Sequence, residues 1–320
     1  GRTVAATTIP DTITIQNCTI TGGNFGIYYY GSNARKNVLN ITGNTIKSCY
    51  RGIYAYYSTS NIANNHVSQV NMNTHQNFSG IYVDYVSGLD INGNTIDSVY
   101  DAEYGIYLRY ATVADFYVRN NHIKVGNSNF GLNIENSSST TAITGYVYNN
   151  EVILYPVTAA ASYAAQIKTS NLLKVINNSF YIKSDAPYSN TAALRIENNN
   201  NTYLDNNILI NSVNCSDNTN YPLYLNANST ATGAYNDFYS ISGIVAYKTV
   251  TRNTIVELES AVTTLTNNIS EMPTIAAPTN SLLPTSFTGF ECPLIQPVNV
   301  DIRNMERTAI HIHRLNITTD

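Results

Sequence analysis

The chain has 320 residues, only 12 % of them charged, and its 17 basic and 21 acidic side chains leave a formal net charge of −4. The charged share is about half the roughly 25 % of an ordinary globular chain, and without a basic cluster the balance excludes a nucleic-acid partner. No apolar run reaches the roughly 20 residues of a membrane span.

The opening Gly1-Arg2-Thr3 leads directly into turn and strand material with no signal-peptide pattern, as expected of a trimmed or mature chain. Residues 1–11 are irregular and predict an N-terminal cap, which a stack of strands needs to keep its first edge from pairing. From residue 12 to residue 240 a three-strand module repeats. Its clearest copy is GIYVDYVSGLDINGNTIDSV, residues 80–99. There Gly80–Tyr85 alternates apolar and outward residues, Leu89–Ile91 follows a Ser-Gly turn, and Thr95–Val99 follows a Gly-Asn pair. No segment is long enough to fold back as a hairpin, so each strand must pair with its counterpart one coil away. That arrangement is an all-β parallel β-helix, here of about nine to ten coils.

Two registers support it. The second residue of each Gly-Asn or Asn-Asn pair, or its equivalent, falls at Cys18, Asn44, Asn65, Asn94, Asn121, Asn150, Asn178, Asn207 and Asn236. Two residues later stands Ile20, Ile46, Val67, Ile96, Ile123, Val152, Phe180, Leu209 or Phe238, and three earlier an apolar residue in every coil but the last, which has Gly233. First strands open at Gly26, Gly52, Gly80, Gly105, Gly131, Ala164, Ala193, Pro222 and Gly243, residues suited to a turn or tight corner. Residues one and three after each opening face inward, and those two and four after face out. The asparagine column has a structural reading: Asn tolerates left-handed backbone, and its amide can bond the amides above and below. Loops at Asn71–Ser79, Ser137–Thr144, Pro156–Tyr163, Ser184–Thr191 and Cys215–Tyr221 are candidate rims of a binding surface.

After Gly243 the repeat fails, because Asn253 comes too soon for a full coil. Residues 241–320 predict a closing region: a partial coil, a short helix over Ile255–Val262, a proline-rich wrap, and late strands at Val298–Ile302 and Ile310–Ile317. Cys18 and Cys49 read as small core fillers, while Cys215 and Cys292 lie in loop-like sequence with a bridge between them left open.

The motifs ITGNTI, NIANNHV, LDINGNTI and VRNNHI resemble the right-handed parallel β-helix repeats of the pectate-lyase-like superfamily. The resemblance covers about three quarters of the chain and implies right-handed winding and a secreted or surface-displayed protein. The superfamily includes lyases, glycoside hydrolases, adhesins and tailspikes, so the fold alone does not choose among them. No stretch carries over the lyase calcium site or its basic catalytic residue.

Outward columns hold the candidate site. Two residues after the openings stand Tyr28, Tyr54, Tyr82 and Tyr107, flanked by Tyr30 and Tyr56. These tyrosines either stabilise the sheet by stacking or form a platform for sugar rings, whose faces pack on aromatic rings while phenols bond the hydroxyls. In the resembling enzymes polysaccharide lies on this first-strand face. Four residues after the openings the sign alternates along Asp84, Arg109, Glu135, Lys168 and Glu197, which predicts an ion-pair ladder. Glu135, Lys168, Arg195 and Glu197 are the catalytic or acid-sugar-binding candidates, since paired carboxylates can hydrolyse glycosides.

No metal site is predicted. His66 and His122 stand two coils apart, roughly 10 Å, and His311 and His313 would need a third ligand to converge. Asp97, Asp101 and Glu103 cluster near one corner and could bind calcium, but solvated turn carboxylates are the commoner reading and no cofactor is expected. Two functions remain: a secreted or surface β-helix binding a polysaccharide, surface glycan or partner through the tyrosine face, and a polysaccharide lyase or glycoside hydrolase acting on that face.

Overall fold

The computed structural model describes residues 11–34, 37–69, 78–98, 102–126, 129–137, 143–156, 161–199, 201–215, 219–272, 275–277 and 281–284. The cap expected at 1–11 lies, apart from Asp11, outside these residues, as do Cys292 and the strands expected beyond Pro297. Three long sheets run along one axis, with ten, nine and ten strands. First strands, such as Phe78–Asp84, form one sheet; second strands, such as Leu89–Asn92, form another; third strands, such as Thr95–Ser98, form the last. Each strand pairs in parallel with its counterparts in the coils on either side, so the protein is a parallel β-solenoid.

The stack makes about eight turns, slightly fewer than the nine to ten coils expected. The difference lies at the closing end. Val250–Arg252 turns back antiparallel on Ala246–Lys248, and the two-residue strand Leu265–Thr266 follows the helix, so both close the stack without opening a coil.

Inward columns build the core as expected. Ile20, Ile46, Val67, Ile96, Ile123, Val152, Phe180, Leu209 and Phe238 are in register along the third sheet, and all but the peripheral Ile20 are buried. Opening glycines have a different cause from the one expected. Gly26, Gly52, Gly80, Gly105 and Gly131 sit inside strands, where a Cβ would lie within 2.7 Å of a core side chain of the third sheet. Close approach of two sheets, rather than a turn, excludes a side chain there.

The last coil is shifted by two residues. Gly243 does not open a strand; it lies in a turn at φ +76°, its N–H bonded to the Ser240 carbonyl. Leu223 therefore pairs with Ala246 and Tyr224 with Tyr247, in place of Ile244 and Val245.

The Gly-Asn and Asn-Asn pairs divide their work between two residues. The first takes the left-handed backbone, from Asn17, Gly43 and Asn64 to Asn206 and Asn267, at φ between 53° and 65°. The second supplies the amide. Asn94 Oδ1 accepts both the Asn65 backbone N–H at 3.0 Å and Asn65 Nδ2 at 2.9 Å. Asn94 Nδ2 in turn donates to Asn121 Oδ1 at 3.0 Å and to the Ile62 carbonyl at 2.8 Å. The same scheme links Asn44 through Asn268.

A second corner repeats the device with other side chains. Left-handed Tyr110, Asn136, Thr169 and Asn198 each precede a ladder residue, and Ala111, Ser137, Ser170, Asn199 and Ser229 are linked from N–H to side-chain oxygen.

The short helix, Ile255–Ala261, starts where Thr254 accepts the Glu257 N–H and Glu257 reaches back to the Asn253 N–H. Asn253 is thus a helix-entry residue. The helix also ends the ladder: Glu259 Oε1 accepts the Asn268 N–H at 3.0 Å and Asn268 Nδ2 at 2.9 Å, taking the place of one more asparagine oxygen.

Replacing Glu259 with Ala leaves two donors of a nearly buried amide unpaired, a loss of about 1–3 kcal/mol. Tm should fall by several degrees in calorimetry, while Glu259→Gln, which keeps the accepting oxygen, should melt close to the parent. Equal losses in the two variants would contradict the capping role.

Asp237 gives a pH prediction at the same end. It is fully buried, its Oδ1 accepts the Glu271 N–H at 3.0 Å, and its Oδ2 has no hydrogen-bond partner among the described residues. Burial pushes its carboxyl up to about 8, against the relief of the Glu271 N–H. A folded-state pKa above the unfolded value near 3.9 makes this group's contribution full below about pH 4 and lost as pH rises through about 8. Asp237→Asn should therefore raise Tm more at pH 8 than at pH 5. Parallel Tm curves for parent and variant would show that Asp237 does not titrate in this range.

Candidate functional site

The outward tyrosines lie in register, as the repeat requires: Tyr28, Tyr54, Tyr82 and Tyr107 occupy successive strands of the first sheet. Their environments differ. Tyr28 stacks on Tyr54 at 6.0 Å and 15°, and Tyr54 on Tyr82 at 4.2 Å and 20°. Tyr107 then turns edge-on to Tyr82, at 88°, and stacks instead on Tyr104 at 4.4 Å. Its hydroxyl donates to Glu135 Oε2.

Exposure follows this break. Tyr28 and Tyr30 are 54 % and 60 % exposed, and Tyr54 and Tyr56 are half-buried, but Tyr82 and Tyr107 are buried at 9 % and 6 %. Four partly exposed rings in one column were expected; two of them lie beneath neighbouring side chains. The open aromatic floor consists of Tyr28, Tyr30, Tyr54 and Tyr56, with Tyr82 under its far edge. Hydroxyls of Tyr54 and Tyr56 lie 3.2 Å apart. Burial raises both phenols, Tyr56 to about 12, so both stay neutral hydrogen-bonding groups at ordinary pH.

Sequence reasoning missed two further aromatic columns. Phe25, Tyr104, Phe130, Tyr163 and Tyr221 stand one residue before the openings, a spacing visible in the sequence, and Tyr104 and Phe130 stack at 5.4 Å and 11°. Tyr57, Tyr85 and Tyr110 stand at the second corner in left-handed backbone, with stacked rings 5.1 and 4.4 Å apart. At the opposite end of the sheet Tyr224 and Tyr247 stack at 4.7 Å and 3°, a contact created by the two-residue shift. Arg51 completes the floor's edge, its guanidinium 5.2 Å from the centre of the Tyr54 ring.

The charge column is also in register, Asp84 to Glu197. Among the described residues it closes into separate pairs instead of a continuous ladder. Arg109 donates to Asp84 Oδ2 through Nε at 3.1 Å and Nη2 at 2.5 Å, which holds the guanidinium pKa up. Lys168 Nζ lies 3.5 Å from Glu135 Oε1. Arg195 pairs with Glu197 on its own strand, donates to the Tyr163 hydroxyl at 2.7 Å, and lies 4.6 and 4.3 Å from the ring centres of Tyr163 and Tyr224. The structure thus brings Glu135 to Lys168 and Arg195 to Glu197, and each carboxylate already has a partner. Glu135 and Glu197 stand two strands apart with Lys168 between.

Metal-binding candidates are dispersed. His66 and His122 flank Thr95 in the third sheet, two strand spacings apart. His122 Nδ1 lies 2.7 Å from Glu151 Oε2; burial lowers its pKa, but the Glu151 hydrogen bond and charge outweigh this and raise it overall. Cys49 is buried in the core, as expected, whereas Cys18 is exposed, since the edge coil leaves it uncovered. Of the calcium candidates, Asp97 is exposed and Asp101 lies outside the described residues. No group of three His, Cys, Asp or Glu side chains converges among the described residues.

No curated protein and no solved structure matches the chain. Residues 7–185 match the family described as periplasmic copper-binding protein (NosD), whose repeats are right-handed parallel β-helix coils. The described residues do not fit copper: Glu151 engages His122, Thr95 separates it from His66, and the Cys49 thiol donates to the Gly22 carbonyl inside the solenoid. His75, His311 and His313 lie outside those residues. Because the match spans more than half of the 320 residues and follows the coils described above, the chain belongs to the NosD family.

Proposed function

We propose that this chain is an extracytoplasmic binding β-helix that takes a glycan on the outer face of its first-strand sheet, over Tyr28, Tyr30, Tyr54 and Tyr56. The observation that carries the reading is the pair of rings left more than half exposed, Tyr28 and Tyr30, each backed by a tyrosine of the next coil. Exposed aromatic rings with neutral hydroxyl rims suit sugar faces and their hydroxyls. The family's periplasmic description supports a location outside the cytoplasm.

Tyr82 and Tyr107 have a supporting part in this proposal: they fix the floor from below without touching the ligand. Glu135, Lys168, Arg195 and Glu197 act as internally paired charges beside it. The degradative reading, in which the same face cleaves a polysaccharide, uses the same residues and is separated by products.

Glycan-array and affinity-electrophoresis binding test the proposal. Tyr28→Ala together with Tyr54→Ala should weaken the bound glycan at least tenfold while lowering Tm only slightly, because one ring is mostly exposed and the other half-exposed. Unchanged binding in the double variant, or no glycan bound by the parent, would refute the tyrosine floor. Release of unsaturated product or new reducing ends would replace the binding reading with the enzymatic one.

A further inference from the structure

We propose that a second saccharide site, independent of the tyrosine floor, lies on the outer face of the second-strand sheet, where a groove of 530 Å³ is lined for one or two neutral sugar units. Its volume falls in the roughly 300–1,000 Å³ range of small-ligand sites. The groove crosses strands Asn37–Thr42, Ser58–Ala63, Leu89–Asn92 and Phe116–Arg119.

One outward column supplies its length. Asn40, Asn61, Asp90 and Tyr117 follow one another in register, and all four line the groove. Tyr146 stacks on Tyr117 at 5.2 Å and 11°, and the next residue on the other side is the short Asp90, so Tyr117 ends the stack at the groove. A ring that ends a stack can take a sugar face. Asn40 and Asn61 each add an amide that both donates and accepts, the pattern adjacent hydroxyls require.

Asp90 and Arg119 are locked together, Nε to Oδ1 at 2.9 Å and Nη2 to Oδ2 at 2.7 Å. Both side chains stay about a third exposed, so the planar pair presents a fixed polar edge to the groove. Gly88 also lines the groove beside Thr59, where its left-handed backbone, at φ +111°, selects glycine. Charge then selects the ligand. Asp90 and Asp115 against Arg119 leave the lining with one net negative charge, which opposes a uronate or a phosphate and favours a neutral sugar.

The test follows the Arg119 Nε–H resonance of the ¹⁵N-labelled chain during titration with glucose, galactose, mannose, N-acetylglucosamine and cellobiose, with galacturonate as the charged probe. At least one neutral probe should shift that resonance saturably. Its affinity should fall tenfold or more in Tyr117→Ala, fall also in the milder Asn61→Ala, and stay unchanged in the Tyr28→Ala, Tyr54→Ala double variant. Galacturonate should bind at least tenfold more weakly than the best neutral probe. Absence of any saturable shift, unchanged affinity in both groove variants, or preference for galacturonate would overturn the assignment. Loss of the Arg119 shift in the floor variant would overturn it too, since the groove would then not be independent of the floor, whereas glycan-array binding lost in that variant with the Arg119 titration unchanged would concern the tyrosine floor and leave the groove standing.

Discussion

Everything on this solenoid is positioned by the asparagine ladder. Each ladder amide accepts two hydrogen bonds from one neighbouring coil, gives one to the other, and fixes a core strand's carbonyl with its remaining N–H. A buried amide with every valence used admits no slip, because a shift of one residue would leave several polar groups unpaired. Once that corner is fixed, side chains at equivalent positions recur at the strand spacing of about 4.8 Å. Columns of tyrosine, charge or apolar side chain are therefore consequences of the corner. Glu259 shows how the constraint is released at the closing end: a carboxylate oxygen on a helix stands where an asparagine oxygen would, and the helix then covers the stack.

What could be read from the sequence was what this constraint dictates. Inward columns alternate with period two and carry the same residue types in each coil, so Ile96, Ile123 and Val152 announced both core and register. Gly243 misled because two different demands select glycine. At Gly80 a neighbouring sheet leaves no room for a side chain, while at Gly243 the backbone is left-handed. A sequence shows the residue and hides which demand applies. Tyr57, Tyr85 and Tyr110 were hidden for the converse reason: bulky residues seldom take left-handed backbone, so tyrosine at a corner reads as strand. Site geometry was less legible still. Register put Tyr82 and Tyr107 in the outward column, but burial depends on the directions of side chains around them, including Glu135 on the next coil and Tyr104 beside Tyr107.

Membership of the NosD family fits this division between inside and outside. A coil is constrained by its interior and its two corners, so relatives can share the solenoid while their outer columns diverge. Copper stands in the family's description, yet the histidines described in this chain are separated by strand spacing or engaged by a carboxylate. Here the fold is inherited as a scaffold, and ligand chemistry must be argued column by column.

Charge distribution points the same way for both faces. Arg109 with Asp84, Lys168 with Glu135, Arg195 with Glu197 and Arg119 with Asp90 neutralise one another over a few ångströms. Such pairs cancel beyond about one Debye length, roughly 8 Å at physiological ionic strength, and provide little long-range steering. They do hold long side chains still, and two of them lie beside half-exposed aromatic surface: Asp84 beside Tyr56 with Arg109 over Tyr110, and Asp90 with Arg119 beside Tyr117. Recognition on such a surface has to come from direct contact between rings, amides and hydroxyls. A solenoid with few charges, eight of them closed into these four pairs, is thereby suited to ligands that are themselves polar and uncharged.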